Sequence, residues 1–115
     1  MTDLVVKAAY ATVATEDGQV FVGFVDARDE SYALFRKPVG GGAIWFEVND
    51  EGFGAEEAVD RVTAGPKGLE ITLKQDMAAK FGWATSVAVR IGPGTEDASE
   101  ALEALAQMLG ARWQG

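Results

Sequence analysis

Hydrophobic residues recur at every second position through most of this chain and change to helical spacing near its end. Leu4 to Ala14 alternates loosely, with Leu4, Val6, Ala8 and Tyr10 against Val5, Ala9, Ala11 and Val13. Glu16-Asp17-Gly18 then reads as a turn. Gln19 to Val25 is apolar on both faces, which suits a strand in the middle of a sheet. Asp26 to Glu30 is a charged connection. Tyr32 to Arg36 is a third strand, with Tyr32 and Leu34 on one face and Ala33 and Phe35 on the other. Lys37-Pro38-Val39-Gly40-Gly41-Gly42 reads as a flexible loop, because proline lacks a donor and three glycines are costly to order.

Ala43 to Val48 is again apolar on both faces, with Ile44, Phe46 and Val48 on one side and Ala43, Trp45 and Glu47 on the other. Asn49-Asp50-Glu51-Gly52 follows with turn chemistry: side chains that bond their own backbone, then a glycine. Phe53 and Gly54 complete what reads as an acidic loop carrying one aromatic. Ala55 to Ala64 fits either a helical face, through Ala55, Ala58, Val59 and Val62, or a strand over Val59 to Ala64. Its β-branched residues, and the hairpin-like Gly65-Pro66-Lys67-Gly68 leading into Leu69 to Leu73, favour the strand. Gln75 to Phe81 predicts a short helix, with Met77 and Phe81 on one side and Gly82 as its stop. Trp83 to Ile91 is a last strand.

Ala98, Leu102, Leu105 and Leu109, helped by Ala101 and Met108, form the apolar stripe of a closing helix that ends at Gly110. Thr95 or Asp97 is its expected cap, and Asp97 with Glu100 has capping-box spacing. The order predicts one α+β domain over residues 1–115. It should hold a mainly antiparallel β-sheet of about six or more strands, a short helix, and a C-terminal helix packed on one face.

Composition narrows the chemistry. The 115 residues are 48% apolar and 24% charged, which suits a globular fold. Cysteine and histidine are absent, which removes disulfides, thiolate chemistry, histidine metal ligands and Ser-His nucleophile pairs. Ser31, Ser86 and Ser99 therefore lack an activating base. The net charge of −8 disfavours nucleic acid and anionic membrane and favours a basic partner. The opening residues show neither a basic leader nor a long apolar core, so no signal peptide and no membrane span are expected.

The densest acidic group is Glu47, Asp50, Glu51, Glu56, Glu57 and Asp60. Two such carboxylates can hold a cation or do acid–base work, which makes a small acidic metal-dependent enzyme built on Glu47 and Asp50 the alternative reading. Asn49-Asp50-Glu51-Gly52 lacks calcium-loop spacing, however, and the plainer reading is a solvated acidic turn. Glu47 falls on a sheet face beside Trp45 and needs a partner there, with Arg36 or Arg61 as candidates. The Lys37–Gly42 loop is followed by a strand and by no Lys-Ser or Lys-Thr pair, which argues against a phosphate cradle. Trp45 reads as core. Trp83, at a strand opening, reads as half exposed. Trp113 lies beyond the helix stop, either as an exposed contact or folded back on the sheet. A homodimer through a sheet edge or Trp113 remains open.

Several stretches together resemble the immunity protein ten family of bacterial polymorphic toxin systems, over Gln19 to Leu109. They are the aromatic strand with Tyr32, Leu34 and Arg36; the acidic segment Glu47, Asn49, Asp50, Glu51, Phe53 and Gly54; and the short helix with Ala78, Phe81 and Gly82. Glu56 and Glu57, and the glycine triplet from Gly40, depart from the family pattern. The resemblance implies a cytoplasmic protein, without catalysis, cofactor or metal, that binds and neutralises a cognate toxin domain. The expected contact is Asp50, Glu51, Glu56 and Glu57 around Phe53 as apolar anchor, with Glu47, Asn49 and Gly54 holding the loop.

Overall fold

The computed structural model describes residues 4–115; the sequence reading of the first three positions lies outside them. Among the described residues ten strands form two five-stranded sheets. The first sheet is an antiparallel meander of β2 (Tyr10–Glu16), β3 (Gln19–Val25), β4 (Tyr32–Pro38), β5 (Trp45–Val48) and β6 (Asp50–Glu56), in sequence order. The second takes β1 (Leu4–Lys7), β7 (Val59–Gly65), β8 (Gly68–Leu73), β9 (Ser86–Arg90) and β10 (Trp113–Gln114), in the order β1-β9-β8-β7-β10. It is mixed, since β1 runs parallel to β9 and β10 runs parallel to β7. The class is α+β, and the strands divide between two sheets instead of filling one.

Leu4 to Ala14 is not one strand. The chain leaves the second sheet after β1 and enters the meander at β2. The Ala8 amide still bonds the Arg90 carbonyl, while the next amide, Ala9, bonds Val25. Val6 and Ala11 are the residues buried on either side of this step. Their odd separation cannot lie on one face of a continuous strand, so the period must break between them. Val59–Gly65 is the strand its β-branched residues favoured, and the hairpin turn to β8 closes with Gly65 opposite Gly68.

One core takes side chains from both sheets. Val22, Phe24, Phe35 and Phe46 come from the meander, and Val6, Val62, Ile71, Val87 and Val89 from the second sheet. The helix α1 (Ala98–Leu109) adds Ala101, Leu105, Met108 and Leu109, so its buried line is shifted from the one through Ala98 and Leu102. Neither expected cap is made. Asp97 adopts a left-handed conformation without a side-chain cap bond. Thr95 instead donates to the Ala8 carbonyl at 2.9 Å and accepts from the Gly92 amide at 3.0 Å. The entry to the helix is fixed by backbone bonds of Glu96 to Ala9 and Ala11. At the other end Lys37 Nζ donates to the Met108 carbonyl at 3.1 Å, a cation where the helix dipole favours one.

Gln75–Phe81 is a 3-10 helix. Its buried residues are Ala78 and Phe81, three apart, as three residues per turn requires, and not Met77 and Phe81 as an α-helix would place them. Phe81 extends an aromatic column: Phe35 and Phe46 have centroids 4.8 Å apart, and Phe46 and Phe81 5.8 Å apart. Such pairs add to simple area burial and fix the short helix under the meander. Trp83 lies outside β9. Gly82 and Trp83 both take left-handed conformations and turn the chain before the strand starts at Ser86.

Candidate protein-binding edge

The segment expected to be an acidic loop is strand β6, the last strand of the meander. Only Asn49 makes the turn, at φ +65°. Asparagine tolerates this conformation, and its side chain closes the reversal. Asn49 Oδ1 accepts from the Tyr32 amide at 3.0 Å and from Ser31 Oγ at 2.8 Å. Asp50 then pairs with Val48, and a bulge separates this from the regular pairing of Gly54 with Glu47, Ala55 with Phe46 and Glu56 with Trp45. The carboxylate of Asp50 accepts from the Gly52 amide at 3.0 Å, which shapes the bulge from within. An outermost strand tolerates such residues because its outward backbone groups need no ladder partner.

Asp50, Glu51, Phe53 and Glu56 are all exposed on this edge. Asp50, Glu51 and Phe53 share its bulged end, while Glu56 lies further along, beside Trp45 on the outer face. Phe53 is 41% exposed.

Glu57 does not belong to this surface. It sits in the turn between β6 and β7 at φ +57° and ties together three separate elements. Its Oε2 accepts from the Ile44 amide at 2.8 Å, and its Oε1 from Arg112 at 2.5 Å, with Lys74 Nζ 3.9 Å away. The Arg112 hydrogen bond, helped by the Ile44 amide, holds its carboxyl below the usual glutamate range. Sequence alone could not separate Glu56 from Glu57, because the partners of Glu57, namely Ile44, Lys74 and Arg112, come from other parts of the chain.

Glu47 is 5% exposed on the outer face of the meander, and its partners are not arginines. Glu47 Oε2 accepts from the Tyr32 hydroxyl at 2.5 Å, and Oε1 from Trp45 Nε1 at 2.7 Å. Burial and the bond to Glu47 push the Tyr32 hydroxyl well above the usual tyrosine range. Arg36 lies over the Trp45 ring, 4.9 Å from its centroid, and Arg61 pairs with Asp60. Gly54 makes room for this cluster: a Cβ there would come within 2.6 Å of Trp45 Cζ2 and 2.9 Å of Glu47 Cβ. Glu47 and Asp50 are therefore turned to different donors and do not converge on one point. Among the described residues no three acidic side chains gather as metal ligands.

Of the two remaining tryptophans, Trp113 takes one of its two expected places and Trp83 departs from the expected one. Trp113 is half-buried in β10 and folded back against Val62 of β7. Trp83 is 76% exposed, more than a strand opening suggests, and a Cβ built on its neighbour Gly82 would lie 3.5 Å from Phe53 Cζ. This proximity could not be read from sequence, since it depends on the burial of Phe81. No helix among the described residues is long and apolar enough to cross a membrane. No family model, no curated protein and no solved structure matches the chain.

Proposed function

We propose that this chain is a protein-binding module that captures a basic partner with strand β6, and that it serves as an immunity protein neutralising a cognate toxin domain without catalysis. The observation that carries the reading is the exposure of Asp50, Glu51, Phe53 and Glu56 along the outermost strand of a five-stranded meander. A net charge of −8 draws a basic protein to such an edge and speeds encounter. The hydrogen-bonded strands behind it keep the edge in place, so little ordering is needed on binding. Unpaired backbone groups of an edge strand add a second mode of attachment, strand to strand. Resemblance to the immunity family supplies the kind of partner, and the cytoplasm is the compartment it implies.

Co-expression with a toxin domain sought in the neighbouring reading frame is the test. Growth should be rescued by the parent and not by the Asp50→Lys, Glu51→Lys double variant, with toxin and chain recovered as one complex. A folded parent that neither rescues growth nor co-purifies with the toxin overturns the reading.

A second reading rests on the other edge of the meander. Strand β2 exposes Thr12, Val13, Ala14 and Thr15, with no charge among them to deter pairing. Edge-to-edge pairing there gives a homodimer, which sedimentation at several concentrations detects and Val13→Lys abolishes.

A further inference from the structure

We infer that Phe53 and Trp83 form a seat for an arginine side chain presented by a basic protein, with Asp50 and Glu51 as its acidic rim. The inference rests on the proposed capture of a basic partner and adds the group that is recognised. Phe53 and Trp83 are the only exposed aromatics among the described residues, and the fold sets Gly82, the residue before Trp83, beside the Phe53 ring from a distant part of the chain. The link is Gly82. A Cβ built there would lie 3.5 Å from Phe53 Cζ, in contact with the ring, and Trp83 is the next residue. Phe81, on the other side of Gly82, is held in the Phe35–Phe46–Phe81 column, so the turn carrying Trp83 is anchored in the core.

Trp83 is also strained. Its φ of +69° is a conformation bulky residues rarely adopt. The strain holds an indole out in water, where it buries almost nothing in the free protein. Strain of this kind persists where a function uses it.

Two exposed aromatics, one of them on the strand that also carries Asp50 and Glu51, suit a flat cation. A guanidinium stacks on aromatic faces, and its fork of donors reaches carboxylates bidentately. The protein already uses the stacking half of this chemistry internally, where Arg36 lies over Trp45. An aliphatic side chain would use the rings and ignore Asp50 and Glu51. A simple ammonium would lack the planar match. Lys80, exposed on the short helix that leads to Trp83, is the cation nearest to Trp83 in sequence, and its removal should strengthen capture.

Nuclear magnetic resonance of the full chain, titrated with an oligo-arginine peptide, tests the seat. Two control peptides replace arginine with citrulline, which keeps the shape without the charge, and with norleucine, which keeps only the apolar stem. At low salt the arginine peptide should move the Gly82 amide and the Trp83 indole resonance, and the controls should not. Trp83→Ala should weaken arginine-peptide binding about fivefold, with its dispersed spectrum showing an intact fold, and Lys80→Gln should tighten it. Equal binding of the citrulline or norleucine peptide overturns the proposal. So does a Trp83→Ala variant that binds like the parent, or a set of shifts that spreads over other carboxylates and misses Gly82. The peptide assay does not depend on the toxin, so failure of the seat and failure of toxin capture are separate results.

Discussion

Arg112 donates a hydrogen bond to Glu57 at 2.5 Å across a separation of 55 residues, and the same carboxylate accepts the Ile44 amide. The glycine-rich connection before β5, the β6–β7 turn and the C-terminal tail are therefore joined at one side chain. The bond predicts a stability that depends on pH. The folded carboxyl titrates below the usual value of 4.5, so its contribution is present above that value and is lost as pH falls through the folded pKa. The Glu57 side chain is 38% exposed and one Arg112 nitrogen, Nη1, is buried without an acceptor, so the pair is worth only about 1 kcal/mol after screening. Urea unfolding of Glu57→Gln and the parent should differ by this amount at pH 7 and converge as pH falls through the folded pKa. A difference independent of pH would remove the charge from the explanation.

Gly54→Ala should be costly although the edge is accessible. The new methyl meets Trp45 and Glu47, and relieving the clash displaces the indole from its bond to Glu47. Overpacking of this kind costs roughly 1–3 kcal/mol. Denaturant unfolding measures the loss, and the Trp45 indole N–H resonance should move with it. An unchanged midpoint would mean that the outer face yields more easily than its geometry implies.

Tyr32→Phe leaves one oxygen of a buried carboxylate without its donor. A buried polar group left this way costs about 1–3 kcal/mol. The raised tyrosine pKa also means that the hydroxyl favours folding below the unfolded pKa near 10, and that this support is lost as pH rises toward the folded value. The gap between parent and Tyr32→Phe should therefore narrow under strongly alkaline conditions. Absorbance titration of the parent should show the Tyr32 phenol ionising above pH 10, and ionisation near 10 would contradict the packed geometry.

How much of this could be read in the sequence depended on whether the deciding contact was local. The hairpin β2–β3–β4, strand β8 and the closing helix follow from alternation and spacing, because their partners are adjacent in the chain. The split of Leu4 to Ala14 and the parallel pairings of β1 and β10 depend on remote strands, which no local pattern specifies. Asn49-Asp50-Glu51-Gly52 suggested a loop because its residues favour turns, yet one asparagine suffices for the turn and the rest extends as an unpartnered edge. The acidic surface was visible in composition. What separated Glu56 from Glu57, and what brought Gly82 beside Phe53, was tertiary packing alone.

Surface plasmon resonance with the proposed partner, a basic toxin domain sought in the neighbouring reading frame, tests the central claim, capture of a basic partner by the β6 edge. Asp50→Lys with Glu51→Lys should slow association about tenfold and flatten its salt dependence, since these charges steer encounter. Phe53→Ala should leave association nearly unchanged and speed release by about tenfold, as loss of an apolar anchor does. If both variants bind with the parent's rates while Val13→Lys on the opposite edge abolishes binding, the partner docks elsewhere and the claim is wrong.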